Sequence, residues 1–517
     1  MKSLSLFSTV AALLLAMALD PASRASAQAA PVELRILAIN DFHGNLRPPT
    51  GGISIADPAN TANQITVPAG GAEYMATVIK QLRDKVTNSI FVAAGDLIGA
   101  SPLLSAMFHD EPSIESLSMM GLELASVGNH EFDEGKDELL RMQNGGCHAI
   151  DKCQGPHPFA GAKFHYLAAS TFDQKTGKTI FPAYEIREFQ GVPVAFIGLT
   201  LKGTPGIVSP EGVAGLEFSD EADTVNALVP ELKARGVQAI VVLIHEGGFP
   251  TGDYNECPGI SGPIVDIVKK LDRAVDVVIS GHTHRAYVCE IDGRLVTSGD
   301  KFGTLVTAID LKLDPATRDV ISARADNIIV RTGTYARASE QTALLEAYDK
   351  LAAPIANRPA GALTETLSRV PKETGESPLG DIIADAQLAA TNAEATGAAV
   401  IALTNPGGIR TDISKRENGG AVTYADLFAS QPFQKAADSP GFKRLQIRLG
   451  RLPPLRRARN RRSHDAERPT HRSCVELSRY GEQLSRGRGR RLYRVERRHG
   501  ASIWHLRCRC PLRLLPG

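Results

Sequence analysis

No apolar run in this chain is long enough to cross a bilayer as a helix. The longest candidate stands near the start, from about Val10 to Leu19 in "MKSLSLFSTVAALLLAMALD", whereas a span needs ~20 apolar residues. An early lysine, that short run and the triplet Ala25-Ser26-Ala27 read as an export signal over residues 1–27, cleaved before Gln28. The expectation is a periplasmic or secreted protein with no membrane span. Cysteines are few, seven in 517 residues, and neither Cys147/Cys153 nor Cys257/Cys289 has the C-x₂₋₄-C spacing of a zinc–thiolate cluster. In an oxidising compartment the same cysteines are expected as Cys147–Cys153 and Cys257–Cys289 disulfides; Cys474, Cys508 and Cys510 receive no role. A G-x-S-x-G elbow is missing, which argues against a serine hydrolase. There is no internal repeat.

Lysine is nearly absent from the last part of the chain. Residues 441–517 contain 21 arginines and one lysine, in stretches such as "RRARNRR" and "SRGRGRRLYRVERR". The formal net charge of +1 therefore averages a −16 body (residues 1–434) and a +17 tail (residues 435–517). Charge alone would permit a nucleic-acid-binding arm. Sparse aromatics and missing apolar periodicity favour instead a shifted reading frame, hence a disordered tail without a nucleic-acid partner.

What is present is a series of β-branched apolar runs: 34–41, 89–96, 124–130, 192–200, 239–247, 275–284 and 294–300. Between them, 72–84 and 261–272 show three- and four-residue apolar spacing. The alternation predicts a layered α/β domain with a buried sheet. An amphipathic helix at 338–356 ended by "NRPAG" marks a boundary at 338–358. A second domain follows at 359–434, with a loop entering a helix (375–393), a strand and Gly-rich turn (397–413) and another helix start (422–428).

The chemistry sits where the apolar runs stop. "INDFHGN" supplies Asp41 and His43, "AAGDLIG" Asp96, "VGNHEFDEG" Asn129, "LIHEGG" His245, and "ISGHTHR" His282 and His284. Imidazole, carboxylate and a neutral amide oxygen are ligands for transition-metal dications. Seven are too many for one tetrahedral ion and suit two ions ~3.5–4 Å apart with a bridging carboxylate. Zn, Mn and Co all fit this mixture.

In this order, "NDFHG", "GDLIGASPL", "GNHEFD", "IHEGG" and "SGHTH" resemble the motifs of the calcineurin-like metallophosphoesterases, and the secreted 5'-nucleotidase family in particular, from about Leu34 to Gln434. The resemblance implies a four-layer α/β/β/α sandwich over residues 28–337, followed by a truncated α+β substrate-binding domain. It makes Asp41, His43 and His284 ligands of a first ion, Asp96 the bridge, and Asn129, His245 and His282 ligands of a second. His130 becomes the catalytic histidine and Asp133 its orienting carboxylate, while Glu131 and Phe132 receive no role. "TNPGGIRTDI" matches the family's substrate loop, so Asn405, Gly408 and Arg410 are binding candidates. Phe433 is a candidate for one of two base-stacking aromatics; the second has no counterpart before the tail. The implied activity is hydrolysis of nucleotide phosphate esters, nucleoside 5'-monophosphates first. UDP-sugars or 2',3'-cyclic nucleotides are alternative substrates, and a truncated metal-binding remnant is the non-enzymatic alternative.

Overall fold

A computed structural model describes residues 30–417, 419–433 and 505–508. The expected export signal and nearly all of the arginine-rich tail lie outside the described residues.

Twelve strands build two six-stranded mixed sheets: β1 (Val32–Ile39), β2 (Ser89–Ala93), β3 (Leu124–Ser126), β4 (His165–Leu167), β5 (Tyr184–Phe189), β6 (Val192–Thr200), β7 (Ala239–His245), β8 (Val277–Ser280), β9 (Ala286–Ile291), β10 (Arg294–Gly299), β11 (Leu305–Leu313) and β12 (Val320–Ile329). The first sheet runs β12-β11-β1-β2-β3-β4 and the second β9-β10-β8-β7-β6-β5. Strands β1 to β4 are mutually parallel, as are β6, β7, β8 and β10, with antiparallel strands at the margins.

The two sheets face each other across a layer that includes Ile36, Val92, Leu124, Phe196, Val241, Leu243 and Ile279. Outward residues of the first sheet, Leu37, Ile39, Phe91 and Ala93, pack with α1 (Ala72–Arg83), α2 (Glu111–Met119) and α3 (Lys136–Asn144). Ile197, Ile240 and Val242 of the second sheet pack with α4 (Glu221–Ala234) and α5 (Pro263–Lys270). Covered on both faces, β7 is buried at every position, which is why "AIVVLIH" shows no alternation. This is the expected four-layer sandwich.

The helix expected at the boundary is α6 (Ser339–Ala356). It is docked on the sandwich rather than free: Gln341, Leu345, Tyr348 and Ala352 are buried, and Gln341 bonds Ser116 through both its amide oxygen and nitrogen, at 2.8 and 3.1 Å. The smaller unit holds α7 (Pro378–Thr391), capped by Ser377 accepting from the Gly380 N–H at 3.1 Å. Its core is small: Leu379, Ile383, Ile409, Ile413 and Val422.

Most expected strands ending in polar residues stop two to four positions early, at Ile39, Ala93, Ser126, His245 and Ser280. Their last residues turn out of the sheet. One tail segment departs from the expected disorder: His505–Cys508 pairs antiparallel with Ile401–Thr404, a strand whose backbone groups are otherwise open to a partner. Both expected disulfides, Cys147–Cys153 and Cys257–Cys289, are formed.

Candidate active site

Seven polar residues gather where parallel strands of both sheets end. Asp41 and His43 follow β1, Asp96 follows β2, Asn129 follows β3, His245 closes β7, and His282 and His284 follow β8. Five of them hold left-handed backbone: φ is 50° at Asp41, 45° at His43, 50° at Asp96, 69° at His282 and 54° at His284. Non-glycine residues enter this region at a cost of ~1–3 kcal/mol each and keep it where the surroundings over-determine it.

Two groups form whose ligand atoms lie within 4.8 Å of one another: Asp41, His43 and His284, and Asp96, His245 and His282. They adjoin, since His43 Nε2 is 3.5 Å from Asp96 Oδ2. Asp41 and His43 are fully buried, as are Asp96 and His245 to within 1%.

The donor set fits divalent ions. The His43 Nδ1–H donates to the Gly99 carbonyl at 2.9 Å and the His245 Nδ1–H to the Ala94 carbonyl at 2.7 Å, which leaves each Nε2 lone pair facing inward. His43 Nε2 and His284 Nε2 approach to 3.1 Å, an arrangement two lone pairs adopt around a shared cation. Asn129 Oδ1 and His245 Nε2 are buried without a hydrogen-bond partner. His245 Nε2 lies 2.9 Å from Asp96 Oδ2 but without hydrogen-bond alignment.

Ionisation agrees. Burial opposes the charge on Asp41 and Asp96, but the facing histidines overcome it, and both carboxyls stay well below the usual carboxylate range. Burial lowers His43 and His284 and takes His282 down to about 4, so these rings are neutral, as ligands must be. His245 runs the other way: burial is outweighed by Asp96 and Asp41, which push it up to about 10. The same two carboxylates that favour positive charge at His245 would favour a metal cation in its place.

Neighbours that the sequence reading left out fix this geometry. Glu131 is 3% exposed and accepts from the backbone N–H groups of Asp96 (2.9 Å), Leu97 (2.7 Å) and Gly128 (2.7 Å). It thereby ties the loops bearing Asp96 and Asn129 together. Burial and the Asp96 carboxylate push Glu131 up to about 8. The amide nitrogen of Asn40 donates to Asp41 Oδ2 and to the Asp300 carbonyl, both at 2.7 Å. A Cβ on Gly128 would stand 2.2 Å from Asp96 Oδ1, so no side chain fits there. The available signal was the polar neighbour on each side: Asn40 before Asp41, Glu131 after His130.

His130 opens a short 3₁₀ turn, His130–Phe132. Its Nδ1 bonds Asp133 Oδ2 at 2.7 Å, and its ring meets the His43 ring edge-on at 5.0 Å. Burial lowers its proton affinity, but Asp133 and Asp96 overcome this and raise it. Arg410 reaches across from the smaller unit: its Nη2 is 3.0 Å from His130 Nε2, and its guanidinium lies 5.4 Å from the Phe433 ring centre. Phe433 itself lies 6.3 Å from the His130 ring. Gly408 stands behind Phe433, where an added Cβ would meet the ring at 3.5 Å. Asn405 is exposed; its side chain caps the turn at Gly407 (3.2 Å) and does not line the cleft. A cleft of about 970 Å³ runs from His284 between the two units, and Lys301, Phe302 and Arg369 join Arg410 along it. None of those three was singled out from sequence, where each stands alone among ordinary loop residues.

A family model described as calcineurin-like phosphoesterase matches residues 34–286, and one described as 5'-nucleotidase, C-terminal domain, matches residues 355–439. The chain is 35% identical over 409 residues to "Endonuclease YhcR" of Bacillus subtilis, covering 78% of this chain and 32% of that protein. It is 26% identical over 401 residues to a 5'-nucleotidase of Vibrio vulnificus, covering 69% of this chain and 66% of the relative. It thus spans about a third of the endonuclease and just under two thirds of the nucleotidase. The fold is similar to the crystal structure of a 5'-nucleotidase precursor from Thermus thermophilus: TM-score 0.61 at 22% identity, covering 78% of this chain and 74% of that one. With both matches in the order the motifs require, the chain belongs to the calcineurin-like phosphoesterases that carry a 5'-nucleotidase C-terminal domain.

Proposed function

We propose that this chain is an exported, dinuclear-metal phosphohydrolase acting on nucleotide phosphate esters, nucleoside 5'-monophosphates first. The contact of Arg410 with His130 carries the reading, because it brings a fixed cation from the smaller unit over the strand-end ligands of the larger. Asp41, His43 and His284 would hold one ion, Asn129, His245 and His282 the other, with Asp96 between them. Bound there, such ions supply Lewis-acid polarisation of the phosphoryl group and an activated water.

The chain's own residues do the rest. Asp133 holds the Nδ1 proton of His130 and so aims Nε2 at Arg410. That Nε2 accepts from Arg410 at 3.0 Å. A phosphoryl group entering between them would accept from the guanidinium, which suits anionic oxygens in a forked geometry. It would also accept from a protonated His130, whose proton affinity Asp133 and Asp96 raise. Both donors then face charge that grows during displacement. Phe433 offers a flat apolar face to a base. Export is supported by the two disulfides and by the short leader; no described helix is long and apolar enough to cross a membrane.

A second reading, a phosphodiesterase of broader substrate range, is favoured by one observation. The cleft is large, and Arg47, Arg285, Lys301, Arg369 and Arg410 outnumber Asp253, Asp300 and Asp412 along it, a net positive lining that would also suit a larger or diesterified phosphate. Hydrolysis of AMP (read as phosphate and adenosine), UDP-glucose (as UMP and glucose 1-phosphate), 2',3'-cyclic AMP (as ring-opened AMP) and bis(p-nitrophenyl) phosphate (as p-nitrophenol), with added Mn²⁺ or Zn²⁺, separates the readings. Preference for AMP supports the nucleotidase; turnover of the diesters alone supports the second reading. Turnover of none, by metal-loaded folded protein, leaves the remnant.

A further inference from the structure

A second cluster of metal-ligating side chains shares no residue with the strand-end site. His109, Glu134, Glu138 and His148 each offer one ligand atom, and these atoms lie within 4.8 Å of one another. Four points so spaced fit inside a sphere of ~2.9 Å radius. Drawing them to the ~2.0–2.2 Å of zinc bonds to nitrogen and oxygen needs shifts of no more than ~0.9 Å. His109 Nδ1 is already 2.8 Å from Glu134 Oε2, and His148 Nε2 is 4.0 Å from both Glu134 Oε2 and Glu138 Oε2.

The surroundings are those of a built site. Asp151 Oδ2 lies 3.0 Å from His109 Nε2, which orients Nδ1 toward the cluster in the carboxylate–histidine–metal manner. Arg141 grips Glu138 with three contacts of 2.6–3.0 Å and fixes its rotamer. The imidazoles stack at 3.8 Å, and the Asp151 N–H donates to His148 Nδ1 at 3.1 Å; on metal binding the His148 ring would turn out of the stack and give up that bond to free Nε2. Three carboxylates against one arginine, itself shared with Glu111, leave the cluster negative when the rings are neutral. We propose that His109, Glu134, Glu138 and His148 bind one divalent transition-metal ion of the zinc type, a third ion with a bracing role.

Placement gives that brace its meaning. His148 and Asp151 lie inside the Cys147–Cys153 loop, so the ion fastens this loop to the body. Glu134 directly follows Asp133, the partner of His130. His109 directly precedes Asp110, whose Oδ2 accepts the Gly99 N–H at 3.0 Å, and the Gly99 carbonyl holds His43. His130 is thus one hydrogen bond and one chain step from the brace, and His43 two hydrogen bonds and one chain step from it.

Elemental analysis of the full-length chain, equilibrated with ZnCl₂ and desalted, tests this. The expected result is one zinc fewer per chain in H109Q/H148Q than in the unsubstituted protein, with a lower melting temperature. D41N/H282N should lose strand-end zinc and keep this one, so the two sites fail independently. Equal zinc in H109Q/H148Q and the unsubstituted chain overturns the proposal and leaves an imidazole stack held by a proton alone. Should H109Q/H148Q not fold, anomalous diffraction from zinc-soaked crystals of the unsubstituted chain decides. A peak between His109 and His148 supports the site; peaks only at the strand ends overturn it.

Discussion

Glu131 shows what one residue can hold. Its two oxygens take three backbone N–H groups from two loops. Glu131→Ala would strand those donors in a buried place, at about 1–3 kcal/mol for each group left unpaired. The expected outcome is a lower melting temperature together with weaker zinc retention, read by thermal unfolding with and without chelator. His130→Ala should leave melting nearly unchanged and lower kcat by a factor on the order of 10²–10⁴, measured with the best of the four substrates above. Asp276 gives a pH signature away from the cleft. Burial pushes its carboxyl up to about 7, with Asp319 adding and the Ile240 N–H and Arg294 opposing. A carboxyl with a raised folded value costs stability as it ionises: the cost is absent below about 4, grows as pH rises toward 7, and is complete above it. Asp276→Asn should therefore stabilise by roughly 1–2 kcal/mol at pH 8, allowing for partial exposure, and by little at pH 4. A melting-temperature gain equal at both pH values would contradict this assignment.

Among elements, legibility followed burial only in part: β11, "LVTAIDLKL", is largely buried and was not read, because polar residues interrupt its apolar run. Strands β2, β6 and β7 were readable because each is a mostly apolar run buried at nearly every position, and β1 because an unbroken apolar run, Ile36–Ile39, follows its polar Glu33 and Arg35. Strand β12, "VISARADNII", was not: an edge strand with alternating exposed positions carries too little apolar signal. The hairpin Ile53–Asp57/Asn60–Val67 is exposed along nearly all of its second strand, and α4 contains Pro230, which reads as a break rather than a helix. In the site, the strand-end histidines and carboxylates were legible because such residues are chemically out of place after apolar runs. Arg369, Lys301 and the His109 cluster were not, since only folding brings them to their partners. The Cys257–Cys289 bridge joins the segment before α5 to β9 across a sequence separation of 32 residues. Replacing both cysteines by serine should cost about 3–4 kcal/mol by loop closure, checked by unfolding with and without reductant.

At the scale of the molecule, the cleft is made by two units and closed by Arg410. Arg410→Ala should raise KM about ten- to hundredfold, as expected for one charge-assisted contact to phosphate, with Arg410→Lys falling between. An unchanged KM would place the phosphate elsewhere. Helix α6 decides how those units can move. Its buried face fixes it to the sandwich along its length, so it belongs with the door frame and not with the door. Among the described residues the chain crosses to the smaller unit once, through Asn357 and Arg358, and Arg358 precedes Pro359, which narrows its own backbone freedom. Any swing of the smaller unit would have to turn at Asn357 and Arg358 and would have to part Arg410 from His130, so the contact that positions the guanidinium is also the one that opening would break first.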